Sequence, residues 1–456
     1  MWFDFDGRYA LQRLIKMKKY RSWAFIPDDE QKSVRPSWTD FNLGAFSDES
    51  DSLLAYGNGR SYGDSCLNVQ GTVVDSRSLN RFIDFNEETG VLKCEAGITF
   101  ADILAVTVAK NWFLPVTPGT KFVTLGGAIA NDVHGKNHHA DGTFGKHVIR
   151  FELMRSNGDK LICSADDNAD YYNATIGGLG LTGFINWAEI QLIKIESPFI
   201  KVETTAFYGL EDFYKLSQES NRKHRYSVAW IDCASEGKNF ARGLFMAGDH
   251  CAKPANQKKA AKAVQAEPKI SVPFNFPKKA LNRYSIKAFN ALYFNKNRMM
   301  SSGISYQHYD SFFYPLDGIG DWNRIYGNQG FYQYQFVLPF DKKSVMEEIL
   351  KKIVDSGLGS FLAVLKEFGD IESPGMLSFP RPGICLALDF ANHGKVTLQL
   401  ADELDKLIIG AGGAVYPAKD IRMSSEAFKS YFPRLEEFKT FIDPKFTSDF
   451  WKRVNK

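Results

Sequence analysis

The sequence predicts an α+β protein, and three patterns carry that reading. Residues 50–195 mix short β-type runs with glycine-dense loops and one amphipathic helix. From residue 331 the order runs strand, helix, strand, strand, helix, strand. Between them, residues 250–285 include the polar, lysine-rich run CAKPANQKKAAKAVQAEPK, which predicts a mobile surface loop.

In the first half, Val73 and Val74 lie in a strand, and residues 91–96 form another. Thr99 then opens a helix, with Asp102 three residues on as its capping-box partner. Phe100, Ile103, Leu104 and Val108 give that helix one apolar face, and it ends before the turn at 115–119. Strands over 147–155 and 160–164 meet at Asn157-Gly158, a dipeptide that supplies the positive φ angles of a tight hairpin. A further strand spans 184–195. In the second half, strands are expected over 331–339, 360–366, 384–390 and 414–416. Helices are expected over 343–356, closed by Gly357, and 396–409, closed by glycines. This is the split βαβ order of a ferredoxin-like sheet. Such a sheet is antiparallel with helices on one face, which leaves the other face to cover a ligand. No internal repeat is evident.

The chain has 456 residues, enough for two or three domains. Apolar residues make up 44% and charged residues 24%, an ordinary globular balance. The net charge of +3 is too even for a nucleic-acid binder. Six cysteines form no CxxC pair or zinc spacing, which predicts reduced, mostly buried thiols. The opening residues lack the apolar core of a secretory signal, and no stretch reaches the ~20 apolar residues of a membrane span. Arg13, Lys16, Lys18, Lys19 and Arg21 form a short basic cluster. A solvated face is its plain reading, and contact with a membrane surface the second.

Three glycine-dense segments point to chemistry. In GNGRSYGD (57–64) the glycines let the backbone approach a ligand with its N–H groups turned inward, a nest suited to pyrophosphate. Alone, such a loop is more often an ordinary turn. PGTKFVTLGGAIANDVHGKNHH (118–139) and ATIGGLGLTG (174–183) add to it. Several such loops in one half imply an extended ligand lying along backbone, as a dinucleotide would. No strand–GxGxxG–helix unit with a following acid occurs, so a Rossmann site is not expected. His134, His138 and His139 have no carboxylate or cysteine to complete a ligand set, so no metal is expected.

These segments, with GTFGKHV (142–148), resemble the FAD domain of the vanillyl-alcohol-oxidase-like, PCMH-type flavoenzymes. PLDGIGDWNRIYG (315–327), YQYQFVLP (332–339), VLKEFG (364–369), VYPAKDIR (415–422) and YFPRLEEF (431–438) resemble the branch of that family that oxidises polyprenylphosphoryl ribose. The likeness covers most of residues 50–450. It implies a two-part FAD-binding domain, 1–196 and 414–456, with a substrate domain at 197–413 inserted between. It implies FAD-dependent oxidation of the 2′-hydroxyl of a polyprenylphosphoryl-β-D-ribose. A separate short-chain NADH-dependent reductase would then complete the epimerisation to an arabinose donor for cell-envelope polysaccharide. A quinone or oxygen would take the electrons. The lipid tail implies a protein that is cytoplasmic or peripheral to the plasma membrane. A soluble sugar, alditol or aldonolactone oxidase is the competing reading, and a flavin-binding protein without catalysis the third.

Residue by residue, the resemblance implies that Ala55, Tyr56, Gly57, Asn58, Gly59, Arg60, Ser61, Tyr62, Gly63, Asp64 and Ser65 cradle the FAD pyrophosphate. Gly119, Thr124, Leu125, Gly126, Gly127, Asn131, Asp132, Val133, His134 and Ile185 complete the cofactor site, and Tyr416 reaches the flavin. Tyr62, His134, Lys136, Gln333, Gln335, Lys366 and Lys419 line the substrate side, with Lys419, His134 and Tyr62 as the catalytic set. The plainer role for Lys419 is an ion pair with Asp420 or another carboxylate. Lys366 or Lys136 would meet a lipid phosphate. Actinobacterial members place a cysteine at the slot of Ala387. Here Cys385 stands two residues earlier, on the same strand face, and is counted with Ala387 in the pocket wall.

Many members of the superfamily attach flavin covalently through a histidine in the first glycine loop. Arg60 holds that slot here, so the resemblance implies non-covalent FAD. Acid denaturation is expected to release the flavin into the supernatant; a yellow precipitate would contradict this.

Overall fold

The computed structural model describes residues 16–24, 28–48, 50–254, 270–277, 280–300 and 303–456. The Arg13 end of the basic cluster, and residues 255–269 of the proposed loop, lie outside them.

Four strands, β1 (Lys16–Arg21), β2 (Asp28–Val34), β3 (Leu53–Tyr56) and β4 (Thr72–Asp75), form a sheet in the order β1-β2-β4-β3. β1 and β2 pair antiparallel with Lys19 opposite Glu30 and Arg21 opposite Asp28. The basic strand thus faces an acidic one, a cross-strand charge match.

Next come β5 (Phe82–Asn86), β6 (Val91–Glu95), β7 (Trp112–Phe113), β8 (Val148–Met154), β9 (Lys160–Ser164), β10 (Phe184–Gln191) and β11 (Ile193–Lys194). Five of them make a sheet ordered β5-β6-β10-β8-β9, while β7 pairs with β11. The expected single strand over 184–195 therefore breaks at Leu192, whose N–H turns to the Gly90 carbonyl. The β8–β9 turn also differs from expectation. Within 155–159 only Gly158 takes a positive φ, 93°, and Asn157 does not.

The helix α1 (Phe100–Thr107) carries the expected capping box between Thr99 and Asp102. A second helix, α2 (Leu125–Ala130), starts at Thr124, whose hydroxyl accepts from the Gly127 N–H.

The remaining strands build one sheet of eight. They are β12 (Phe199–Tyr208), β13 (Tyr226–Ile231), β14 (Arg242–Cys251), β16 (Gly303–His308), β18 (Phe331–Leu338), β19 (Ala363–Phe368), β20 (Gly383–Ala391) and β21 (Ala414–Val415). β15 (Ile270–Ser271) and β17 (Ile319–Gly320) pair apart from it, in parallel. Its helices are α3 (Leu210–Ser220), α4 (Arg283–Met300), α5 (Lys343–Ser356) and α6 (Lys395–Gly410). The glycine stop at Gly357 (φ 71°) closes α5 as expected.

The sheet order is β16-β12-β14-β13-β19-β20-β18-β21. The split βαβ of the second half is present as β18-α5-β19-β20-α6-β21. The first half repeats it as β12-α3-β13-β14-α4-β16, and the two units meet at β13 and β19. This structural repeat leaves no trace in the sequence.

The expectation of helices on one face holds for three of the four. Phe207, Ala229 and Phe245 belong to the core that takes in Phe213 of α3 and the buried faces of α5 and α6. The alternate residues Trp230 and Leu244, with Ala206 beside them, pack on Phe294 of α4. Successive strand residues point to opposite faces, so α4 lies across the sheet from its fellows. The interval 250–285 is correspondingly less loop-like than its composition suggests: β14 runs to Cys251, β15 is paired, and α4 begins at Arg283. Residues 318–330 carry β17 and a turn with buried Trp322 and Tyr326.

The last residues cross back to the first sheet. Phe446 bridges Leu53, and the Tyr62 N–H donates to the Ala418 carbonyl at 2.9 Å. Arg453 grips Asp64 (2.8 Å) and Asp420 (3.3 Å), and both carboxylates are buried. Arg453→Met would strand two buried anions side by side. A stability loss of ~3–5 kcal/mol is expected in urea titration; a loss below about 1 kcal/mol would show that this clamp contributes little.

Candidate active site

The glycine loops and one face of the eight-stranded sheet enclose a cavity. On one side it is lined by 57–62, Gly119, Thr124, Gly126, Gly127, Asn131, Val133, His134 and Ile185. On the other side stand Gln333, Gln335, Val364, Lys366, Ala387 and Asp389, and the C-terminal return brings Tyr416, Ala418 and Lys419. Register explains the second wall. Gln333 pairs with Asp389, Gln335 with Ala387, and Val364 with Ala387, so all share one pleat face.

The first wall fits a dinucleotide phosphate. Arg60 Nε and Ser65 Oγ are buried, line the cavity and have no hydrogen-bond partner among the described residues. The Arg60 guanidinium lies 4.1 Å over the Trp23 ring, which holds it in place. A Cβ added at Gly119 would meet nothing within 4 Å, whereas one at Gly57 would strike the Thr124 hydroxyl at 2.3 Å. The backbone is bare on the cavity side and tightly backed behind.

Several residues expected in the site support it from behind instead. Tyr56 donates its hydroxyl to the Arg21 carbonyl at 2.8 Å. Gly63 lies against the Asp420 carbonyl, where a Cβ would come within 1.8 Å. Asp64 serves Arg453. Leu125 is core. Asp132 adopts a left-handed φ of 40° and is fully buried. Its carboxylate accepts from the Gly145 N–H at 2.9 Å and from the Ser373 and Ser378 hydroxyls. Lys136 does not line the cavity; its ammonium caps the Phe312 carbonyl and sits 4.3 Å over that ring. Cys385 shares the face of Ala387 but lies behind Gln335, its Sγ 3.3 Å from the amide nitrogen.

Two lysines and a histidine crowd the reacting end. Lys366 Nζ lies 3.1 Å from Nδ1 of His134, and the Gln335 amide 2.9 Å from Nε2. An ammonium can only donate, so Nδ1 accepts; the Gln335 amide nitrogen faces Nε2, so a proton on Nε2 requires that amide to turn and present its oxygen. Burial, helped by Lys366, His138 and Lys419, pushes the His134 pKa well below 6.5, so the ring is neutral. Lys419 Nζ stands 3.8 Å over the Tyr62 ring. Its expected partner Asp420 is engaged by Arg453 and the Met423 N–H. Burial brings the Lys419 pKa down to about 7, with Asp389 opposing and Lys366 assisting.

Asp389 was not singled out from the sequence, although it lies two residues beyond Ala387 and so shares its face. It accepts from Gln333 Nε2 at 2.7 Å and from the Tyr326 hydroxyl at 3.3 Å. Burial raises its pKa to about 6, with Gln333, Lys419 and Tyr326 holding it down. Trp23 also lines the cavity without a local motif to mark it, and Asp317 and Trp322 do so from within the 315–327 segment.

A bare-backbone phosphate cradle facing a wall of amides and depressed-pKa lysines defines an FAD-dependent oxidoreductase acting on CH–OH groups. An FAD binding domain model matches residues 43–164. Decaprenylphosphoryl-β-D-ribose oxidase of Mycolicibacterium smegmatis is 34% identical over 415 residues, 88% of this chain and 89% of that protein. The chain belongs to that oxidase family. An uncharacterised protein of Streptomyces coelicolor is 28% identical over 78% of this chain. L-gulonolactone oxidase of Mus musculus is 29% identical, but over only 33% of it.

The charge arrangement has a testable sign. The pH profile of alcohol oxidation is expected to show an inflection near 7 set by Lys419. Asp389→Asn removes the anion that raises the Lys419 pKa and should move it to lower pH. Lys366→Met removes a cation that lowers it and should move it higher. Shifts in the opposite directions would dissociate Lys419 from the inflection.

Proposed function

We propose that this chain oxidises the 2′-hydroxyl of a polyprenylphosphoryl-β-D-ribose to the 2′-keto sugar, the first half of an epimerisation. The observation that carries this reading is the span of the match. Likeness to the decaprenylphosphoryl-ribose oxidase runs through the eight-stranded sheet that walls the substrate side, at 88% of the chain. Likeness to a lactone oxidase stops at 33%, which leaves a soluble sugar or lactone oxidase as the weaker reading.

In this reading residues 1–196 and 414–456 hold FAD, and 197–413 hold the sugar. Arg60, Ser65 and the backbone of 57–61 bind the pyrophosphate without a covalent link. FAD held there would supply the acceptor for the hydride leaving the carbinol carbon. Lys419, neutral above about pH 7, takes the hydroxyl proton, while the Tyr62 ring below it fixes its position. His134, neutral and with Nδ1 held by Lys366, orients the sugar together with Gln335 and Gln333. Lys366 meets the phosphate. A short-chain NADH-dependent reductase completes the epimerisation, a quinone or oxygen reoxidises the protein, and the lipid-borne substrate brings it to the periphery of a membrane.

Anaerobic titration of the FAD-loaded protein with a short-chain prenylphosphoryl-D-ribose is the test. Bleaching of the visible flavin band at stoichiometric substrate, with a keto product lacking two hydrogens, is expected. The rate should rise through pH 7 if Lys419 is the base. Bleaching by free alditols or lactones instead would establish the weaker reading.

A further inference from the structure

Positive charge is concentrated in one stretch of this chain. Residues 250–309 hold eleven lysines and arginines against one acid, Glu267, a net +10, whereas the whole chain is +3. The rest of the molecule is therefore net negative. The same stretch carries exposed apolar side chains. In α4, RYSIKAFNALYFNKNRMM, no acid occurs. Ile286, Asn290 and Phe294, four residues apart, are buried against the sheet. Outward, Tyr284 is 81% exposed, Leu292 73% and Met299 81%. Ile270 and Phe274, at and beyond β15, are 71% and 63% exposed. A helix with an apolar outer stripe, flanking cations and no acids is the pattern of one that lies in a lipid interface.

This surface is joined to the cavity. Phe289 of α4 packs on Phe361 at 5.6 Å, and Leu281, just before α4, joins the layer of Trp322, Tyr326, Phe361 and Leu362. Trp322, Leu362 and Leu316 line the cavity. β15 pairs with β17, two residues beyond Asp317 in the cavity wall.

We propose that α4 and the β15–β17 ribbon are the face on which this protein docks to an anionic lipid bilayer, with the cavity entrance set against the lipid. Charge selects the occupant. A second copy of the chain would bring the cations of its own α4 (Arg283, Lys287, Lys296 and Arg298, with no acid in the helix) against these, whereas anionic headgroups complement them. Arg283 and Lys287 share Glu236 at the surface, a solvent-exposed pairing that headgroup phosphates can replace. The proposal takes from the functional reading only that the substrate is membrane-borne; docking itself requires no turnover.

The experiment is sedimentation of the full-length, FAD-loaded protein with vesicles of phosphatidylcholine alone or mixed with phosphatidylglycerol. Binding to the mixed vesicles is expected to be at least about tenfold stronger and to fall with added salt. The double variant Leu292→Glu/Met299→Glu should lower it at least about tenfold, and Lys296→Glu should lower it severalfold. The flavin spectrum and the turnover of a soluble short-chain substrate should be unchanged in each. Binding that ignores phosphatidylglycerol, or that survives the double variant, would overturn the proposal. So would self-association of the wild type abolished by the same variants. Failed docking with intact short-chain turnover would leave the proposed function standing, and intact docking without turnover would do the reverse.

Discussion

The site rests on a return of the chain. Ala418 accepts the N–H of Tyr62, the Asp420 carbonyl fills the space a side chain at Gly63 would need, and Arg453 binds Asp64 and Asp420 together. Without that return the first glycine loop has no backing and Lys419 has no route to the cavity. Tyr416 adds two ties, its N–H to the Gln335 carbonyl and its hydroxyl to the Asn131 carbonyl. One short segment thus binds the phosphate cradle, the histidine loop and the substrate sheet to one another. Two of these are backbone–backbone bonds, which tolerate side-chain change but fix position; the others depend on Arg453 and the Tyr416 hydroxyl.

The electrostatics follow from this closeness. Lys366, Lys419 and neutral His134 line the same cavity. Like charges at such distances lower each other's proton affinity, and burial lowers it further. Asp389 is the compensating anion, itself held by Gln333 and Tyr326. The outcome is a lysine near the midpoint of its titration at neutral pH, as proton transfer requires.

What could be read in advance was local. The capping box at Thr99 and Asp102, the αL stop at Gly357 and the βαββαβ order are set by residues within a few positions of one another. The bare-backbone loops were legible because glycine density has few other uses. Asp132 was misplaced because its motif neighbours face the cavity, while its own left-handed backbone turns the carboxylate toward Ser373 and Ser378, far along the chain. Asp389 needed the register of β18 on β20, a long-range fact. The first split βαβ unit was hidden because α4 crosses to the other face, so its apolar pattern matches two environments. Lys136 was drawn into the site by the family motif, yet the Phe312 carbonyl and ring take its ammonium.

The clamp between Asp64 and Arg453 spans 389 residues of chain. As the polypeptide leaves the ribosome, its amino-terminal glycine loops emerge long before the arginine that braces them. Contacts of such separation form late, after the intervening sheet has folded. Cofactor capture is then a final event of biogenesis, and a nascent chain that stalls before its last helices carries a cradle too loose to keep a flavin. Colour in this protein would accordingly report that the entire chain, including the interposed sheet, had reached its native arrangement.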